Sequence, residues 1–434
     1  MATKAIPRGY VPLEGSERHP SPSATRVGPA DPAEILSVTI VLRRRPDSAP
    51  LPDPHAFLAV PPAQRQRMSS EEFARLYGAS PQDVDEVRNF ATAQGLTVVE
   101  SNTARRTVVV RGTVAQMSKA FGVDLARYEH NIKLRSKGEP EREIYRGRDG
   151  HIYIPSSLQG IVVGLFGLDN RRIGGRNDAE PPNTTALDIP TVAKLYNYPT
   201  NSAAGQTIGI FSESGYNSAD ITTFFKSLPA GFTAPTLNDI PPGTNSGSDP
   251  LGETTQDIDI AAAFAPGAAI NIYISAGDQM GWVNTIGRVA HPEPGDSPCS
   301  VLSSSWFIAD GDDAASLSGG VTDAFITAVS NAFQDAAIQG VTVCIATGDR
   351  GTDSNVGDGK VHVQYPASDP WVLAVGGTTI GNVAGTSFDE YVWNDPDASG
   401  LIHSGDSQTA RSSSSSRYES RHYRERHARR PPST

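Results

Sequence analysis

Five short apolar runs recur between residues 207 and 377: TIGIFS, AINIYISA, SVLSSSW, VTVCIATGD and WVLAVGG. Each is apolar on both of its faces. Between them lie segments of helical period, of which TDAFITAVSNAFQDAAIQG, ending at Gly340, is the longest. Strands that show no polar face, alternating with helices, are the pattern of a mostly parallel sheet covered on both sides. In such a sheet a site forms beyond the C-terminal strand ends. Two of those ends carry polar residues: Ser303-Ser304-Ser305-Trp306 and Thr347-Gly348-Asp349.

The N-terminal third follows another rule. ILSVTIVLRRR alternates as a strand does, MSSEEFARLYG and SPQDVDEVRNFATAQG read as helices, and LTVVES and RTVVVRG flank a turn at NTAR. GTVAQMSKAFGV is helical and HIYIP closes as a strand. The order β-α-β-β-α-β predicts a ferredoxin-like α+β unit over 34–169. Residues 1–33 have no apolar stretch of signal-peptide type and read as a disordered leader. Residues 170–186 are rich in Arg, Gly, Pro and Asn and read as a linker, which makes Arg171, Arg172 and Arg176 expected cleavage points. The parallel-sheet unit is placed at 187–400. Residues 401–434, dominated by Ser, Arg and His, read as a disordered basic tail.

Several functions are disfavoured. A net charge of −11 argues against a general nucleic-acid partner. No run reaches the roughly 18 apolar residues of a membrane span. Cys299 and Cys344, the two cysteines, make neither a disulfide framework nor a zinc spacing. The loop DRGTDSNVGDG lacks the ligand order of an EF-hand, and the histidines outside the tail do not cluster.

One segment raises a chemical question. In GETTQDIDIAAAFAPGA, Glu253 and Asp257 stand at i, i+4, where like charges share a helix face and cost a few tenths of a kcal/mol. Either the face is solvated or a site uses the pair. Asp259 reads as a surface acid.

Together these segments resemble the sedolisins, the serine-carboxyl peptidases, and within them the kumamolisin type with its activation prodomain. PADPAEILSVTIVLRRRP is similar to the start of that prodomain, and GETTQDIDIAAAFAPGA to the family's Glu-x-x-x-Asp helix. SSSWF resembles its Ser-x-Ser-Trp strand, and IATGDRGT its Gly-Asp-Ser-Gly turn, with Arg350 where serine is usual. VQYPASDPWVLAVGGT and YVWND follow in order.

The resemblance implies a secreted acid endopeptidase zymogen with a Ser-Glu-Asp triad on a subtilisin-like catalytic domain. Glu253 would be the general base, Asp257 the acid that holds it, and Asp349 the oxyanion acid. Trp306, Ser305 and Gly348 would bind protein or peptide substrates, and the prodomain would act as an intramolecular inhibitor. Glu213 would extend the acid network after a one-residue shift. Gln364 stands where relatives carry an acidic specificity residue.

Two family features have no counterpart here: the Ser-Gly-Thr-Ser-x-x-x-Pro nucleophile motif and the later calcium loop. The sequence leaves the family pattern after Asp395, as a truncated or frameshifted frame would. The expectation is therefore an incomplete catalytic domain without cofactor and without hydrolytic activity. Ser387, in a GTS triplet, falls between the WVLAVGGT strand and YVWND, and is rejected as nucleophile. The competing reading is a non-enzymatic protein whose prodomain inhibits or chaperones an intact paralogue.

Overall fold

The structure, a computed structural model, describes residues 6–22, 24–61, 64–65, 68–132, 141–176, 187–199, 202–229, 231–249, 252–308, 320–349, 351, 363–396 and 402–404. In the N-terminal unit the strands are β1 (Tyr10–Pro12), β2 (Thr25–Pro29), β3 (Ile35–Leu42), β4 (Thr97–Asn102), β5 (Thr107–Thr113), β6 (Ala126–Ile132), β7 (Glu141–Gly147), β8 (Tyr153–Pro155) and β9 (Val162–Phe166). The helices are α1 (Pro54–Leu58), α2 (Ser70–Tyr77), α3 (Pro81–Ala93) and α4 (Val114–Ala120). Their starts follow local chemistry: Ser80 caps α3 ahead of Pro81, and Thr113 with Gln116 forms a capping box on α4.

The main sheet here runs β4-β5-β3-β9, all antiparallel. This is the expected split βαβ order, with one correction. The closing strand is Val162–Phe166, whereas HIYIP contributes only the three-residue β8, which pairs with β1. Both runs are short and apolar, and pairing with β3 decides between them. One sheet face packs on α3 and α4 through Val38, Ile40, Val108, Val110 and Met117.

The leader is not disordered over its described residues. Leu13 N donates to Ile152 O at 2.8 Å, and Arg18 reaches Asp169 at 3.2 Å. The start of the expected linker is folded as well. Arg171 has no exposed side-chain surface and lies 5.1 Å from the Tyr145 ring. Residues Gly174–Arg176 form β10. Arg171 is therefore no open cleavage site, and 177–186 lie outside the described residues.

The C-terminal unit contains α5 (Ile189–Leu195), β11 (Thr207–Ser212), α6 (Ser218–Ser227), β12 (Thr236–Ile240), α7 (Glu253–Phe264), β13 (Ala269–Ile274), α8 (Gln279–Ala290), β14 (Val301–Ser304), β15 (Trp306–Ile308), α9 (Asp323–Ile338), β16 (Thr342–Ala346) and β17 (Leu373–Val375). Its six-stranded sheet is parallel, in the order β12-β13-β11-β14-β16-β17. Neighbouring residues of one strand serve opposite faces. Ile210 and Ile272 pack under α6 and α7, while Phe211 and Tyr273 pack with α8 and α9. A hairpin of β18 (Thr378–Ala384) and β19 (Ser387–Val392) follows, then β20 (Asn394–Pro396) paired with β21 (Ile402–Ser404). Ser387 opens β19 on this exposed hairpin. The remainder of the expected tail, 405–434, lies outside the described residues.

The two units dock through the second face of the N-terminal sheet. Val41 and Phe166 join the core of α8 and α9, with Phe166 edge-on to Phe325 at 6.1 Å.

Candidate active site

Chain order reverses between β11 and β14, so the C-terminal ends of these two neighbouring strands make the switch point of the sheet. Helix α7 flanks it. Gly252 precedes the helix in the left-handed region, φ 77°, and offers no capping side chain. Asp249 supplies the missing acceptor: its carboxylate takes Thr255 N at 2.8 Å and Ser214 Oγ at 3.1 Å. An acid at this end also suits the helix dipole. Thr254 is fully buried and meets Ser212 Oγ at 2.6 Å, which ties α7 to the end of β11.

Glu253 opens α7 and is partly exposed, and Asp257 lies one turn on. Ser305, between β14 and β15, donates its hydroxyl to Asp257 Oδ1 at 2.8 Å. The other oxygen, Asp257 Oδ2, has no hydrogen-bond partner among the described residues. Burial pushes the Asp257 carboxyl up to about 7, against the Ser305 hydrogen bond and helped by the nearby charge of Asp249. Asp257 is thus neutral under acid conditions, which removes the like-charge cost of the i, i+4 pair. Asp259 is not a surface acid. It is buried, and its carboxyl is also pushed up to about 7 by desolvation, with a smaller push from Asp220.

Asp349 follows the end of β16. Strand β16 runs beside β14 with Ser304 opposite Ile345, so Ser305 and the Thr347-Gly348-Asp349 turn leave the same edge of the sheet. Gly348 has φ 99°, and a Cβ there would stand 2.4 Å from Gln364 Oε1. The glycine is needed both for the turn and for this close approach. Gln364 is buried against it.

Trp306 lies at the start of β15. Its side chain is 3% exposed and belongs to the core, and β10 pairs antiparallel with β15, Arg176 opposite Trp306. It presents no open wall in this form. Glu213 is fully buried at the end of β11. It accepts Trp282 Nε1 at 2.7 Å, stands 3.5 Å from Arg172 Nη2, and its carboxyl is raised by burial. The roles of Asp249, Ser212 and Ser214 escape sequence reading. The one hint is an Asp three residues before the glycine that precedes a helix. Arg350 and most of DRGTDSNVGDG lie outside the described residues. Among the described residues no group of three or more His, Cys, Asp or Glu is placed to hold a metal, and no step below is routed through one. No described helix is long and apolar enough to cross a membrane.

Fold and site define a class: an acid-lined switch-point site on a parallel α/β sheet, carried behind a docked N-terminal α+β unit. The comparisons agree with that class. Residues 22–171 match the model of the pro-kumamolisin activation domain. The chain is 32% identical over 412 residues to tripeptidyl-peptidase sed5 of Aspergillus fumigatus, covering 89% of this chain and 69% of that one. It is 34% identical over 410 residues to kumamolisin of Bacillus sp. strain MN-32, covering 88% and 69%. Among solved structures, Pseudomonas sedolisin, titled a serine-carboxyl proteinase, superposes loosely: TM-score 0.43 at 24% identity, over 51% of this chain and 62% of that one. The assignment rests on the sequence relatives. The chain belongs to the sedolisin family of serine-carboxyl peptidases.

Proposed function

We propose that the chain is the precursor form of an acid serine-carboxyl endopeptidase that acts on protein or peptide substrates outside the cell. Residues 34–169 serve as its inhibitory prodomain and 187–400 carry part of its catalytic domain. Glu253, Asp257 and Asp349 are its site acids. The observation that carries the reading is the desolvated Asp257, held by Ser305 at the switch point, one helical turn from Glu253.

The chemistry is consistent with an acidic optimum. Glu253, one helical turn from Asp257, takes the hydroxyl proton as general base. A protonated Asp257 beside it keeps the pair at one negative charge. Asp349, protonated, donates to the oxyanion that forms on the substrate carbonyl. Inhibition is supported by β10, in the segment that follows the N-terminal unit. Its antiparallel pairing on Trp306–Ile308 takes up the backbone groups that an extended peptide would use.

No serine of the 434-residue sequence stands in the family's nucleophile motif. Loss of the nucleophile alone costs roughly a millionfold in rate, so this polypeptide by itself is inert in hydrolysis. The test is a chimera that joins residues 1–395 in frame to the corresponding C-terminal portion of the Bacillus relative. It gains acid peptidase activity and removes its own prodomain, and Glu253→Gln abolishes both. Strong acid proteolysis by the 434-residue chain alone would refute the assignment, and Ser387 would then be tested first. A second reading, an inhibitor or chaperone of an intact paralogue, is favoured by the docking contacts of Arg44 and Arg106 with Asp335. It requires residues 1–172 to inhibit an active sedolisin in trans.

A further inference from the structure

The docking face contains a histidine that the proposed chemistry does not use. His291 ends α8 in the C-terminal unit and is 2% exposed, and among the described residues neither ring nitrogen has a hydrogen-bond partner. The N-terminal unit covers it. The Phe73 ring of α2 stands 4.5 Å from the imidazole, centroid to centroid. Arg105 donates twice to the His291 carbonyl oxygen, at 3.2 Å and 2.6 Å, and so caps the C-terminus of α8. Arg106 follows with φ 57°, a left-handed conformation rare for arginine, which turns its guanidinium inward.

The charges around this histidine are unequal. Asp335 of α9 accepts Arg44 on Oδ1 at 2.7 Å and Arg106 on Oδ2 at 2.7 Å. His291 Nε2 lies 3.7 Å from the same Oδ2, outside hydrogen-bond range. The remaining neighbours are already matched. Glu100 and Glu293 face Arg105, Asp296 faces Arg288, and Gln334 accepts from Arg44. One carboxylate therefore already serves two guanidiniums. A cavity of about 140 Å³ opens beside His291 and Asp335, lined also by Arg105, Arg106, Arg288 and Glu100.

We infer that His291 is the proton sensor that releases the N-terminal unit: it is neutral while Arg44 and Arg106 hold Asp335, and it takes up a proton as the two units part. In the docked state an imidazolium would be a third cation on one acid, under a phenyl ring. Burial accordingly holds the His291 imidazole below its ordinary value, with Asp335 opposing and Arg106 and Arg105 adding to the shift. Once the units separate, Phe73 and the three arginines leave, and His291 and Asp335 remain as a simple pair. The proton thus binds the separated form better, and docking weakens as pH falls through the ordinary imidazole range, by up to about tenfold per pH unit for one proton.

The inference rests on reading the N-terminal unit as a removable inhibitor, and the experiment separates the two. A site for a sequence-specific protease is placed within 177–186 of the full chain, which is cut once, and the halves are followed by size exclusion from about pH 7.5 to 4.5. The halves co-elute near neutrality and separate on acidification. H291Q, which keeps the backbone carbonyl for Arg105 but cannot titrate, shifts the midpoint of separation down by about one pH unit. Separation at the same pH in wild type and variant overturns the sensor and leaves the inhibitor reading standing. Halves that never separate overturn the inhibitor reading. Should H291Q fail to fold, histidine NMR of the intact wild-type chain decides: an imidazolium signal from docked His291 overturns the sensor.

Discussion

The buried acids of the C-terminal core and the two that are each clasped by a pair of arginines answer to opposite rules. Asp257, Asp259, Asp278, Asp369 and Glu213 are all raised, and burial is the first cause in each. Asp169 and Asp335 are buried as deeply, yet both are lowered. Arg18 and Arg171 outweigh desolvation at the first, and Arg106 and Arg44 at the second. Depth alone does not decide the charge: two buried guanidiniums outweigh it at Asp169 and at Asp335, whereas the single, half-exposed Arg172 does not outweigh it at Glu213.

The consequence is a pair of opposed pH dependences. A raised carboxyl favours the folded state while protonated, and its contribution is lost as pH climbs from the unfolded value toward the folded one. For Asp257 and Asp259 that window runs from 3.8 to about 7. A lowered carboxyl contributes fully above its unfolded value and is lost as pH falls through the folded one. The raised acids of the C-terminal core thus cost stability as pH rises above about 4, whereas the arginine-paired acids keep their contribution at every pH above the unfolded value of 3.8.

The largest expected effect tests the arginine-paired side of this contrast. Asp335→Asn leaves Arg44 and Arg106 buried against a neutral group, and breaking a buried pair in this way costs about 3–5 kcal/mol. Urea unfolding of the full chain near pH 7 measures it. A loss under about 1 kcal/mol would mean that the two arginines find water instead.

The unpaired side makes the reverse prediction. Asp257→Asn removes an ionisation that the fold resists, so it stabilises the chain near pH 8 by on the order of 2 kcal/mol and does almost nothing near pH 4. Thermal melting across that range reads the difference. Equal effects at both pH values would show that Asp257 is well solvated.

Ser305 sharpens the same point at smaller size. Its hydroxyl is the contact that opposes the rise of Asp257. Ser305→Ala costs about 1 kcal/mol where Asp257 is ionised and less where it is protonated. It also moves the Asp257 titration further up, which carbonyl NMR of labelled aspartate follows. An unmoved titration would assign Asp257 a different principal partner.

Some of this was readable in the sequence, and the division has physical causes. Apolar strands and capped helices are local, so both units and their order could be placed. The leader and the start of the linker could not be. Leu13 and Arg18 are ordered by Ile152 and Asp169, well over a hundred residues away, and no local periodicity records such a contact. The spacing of Glu253 and Asp257 marks a shared helix face and says nothing of depth. What makes Asp257 unusual is burial, what holds it is Ser305, and what holds Glu213 is Trp282, both partners remote in sequence. Asp259 was misjudged for the same reason.

The smallest effect concerns the edge of the parallel sheet. Among the described residues β17 pairs with β16 on one side only, and Leu373 and Val375 are 49% and 46% exposed on it. An apolar strand with one free edge invites pairing with another chain. Leu373→Lys deletes little buried area, so folding stability changes by less than about 0.5 kcal/mol. Self-association, followed by light scattering at rising concentration, falls nonetheless, because a charged edge resists docking. The two readouts must diverge for the edge to be open. A stability loss above about 1 kcal/mol would show that Leu373 is covered in solution, by residues outside the described set or by a second copy. Its burial would then count with the core of the C-terminal unit.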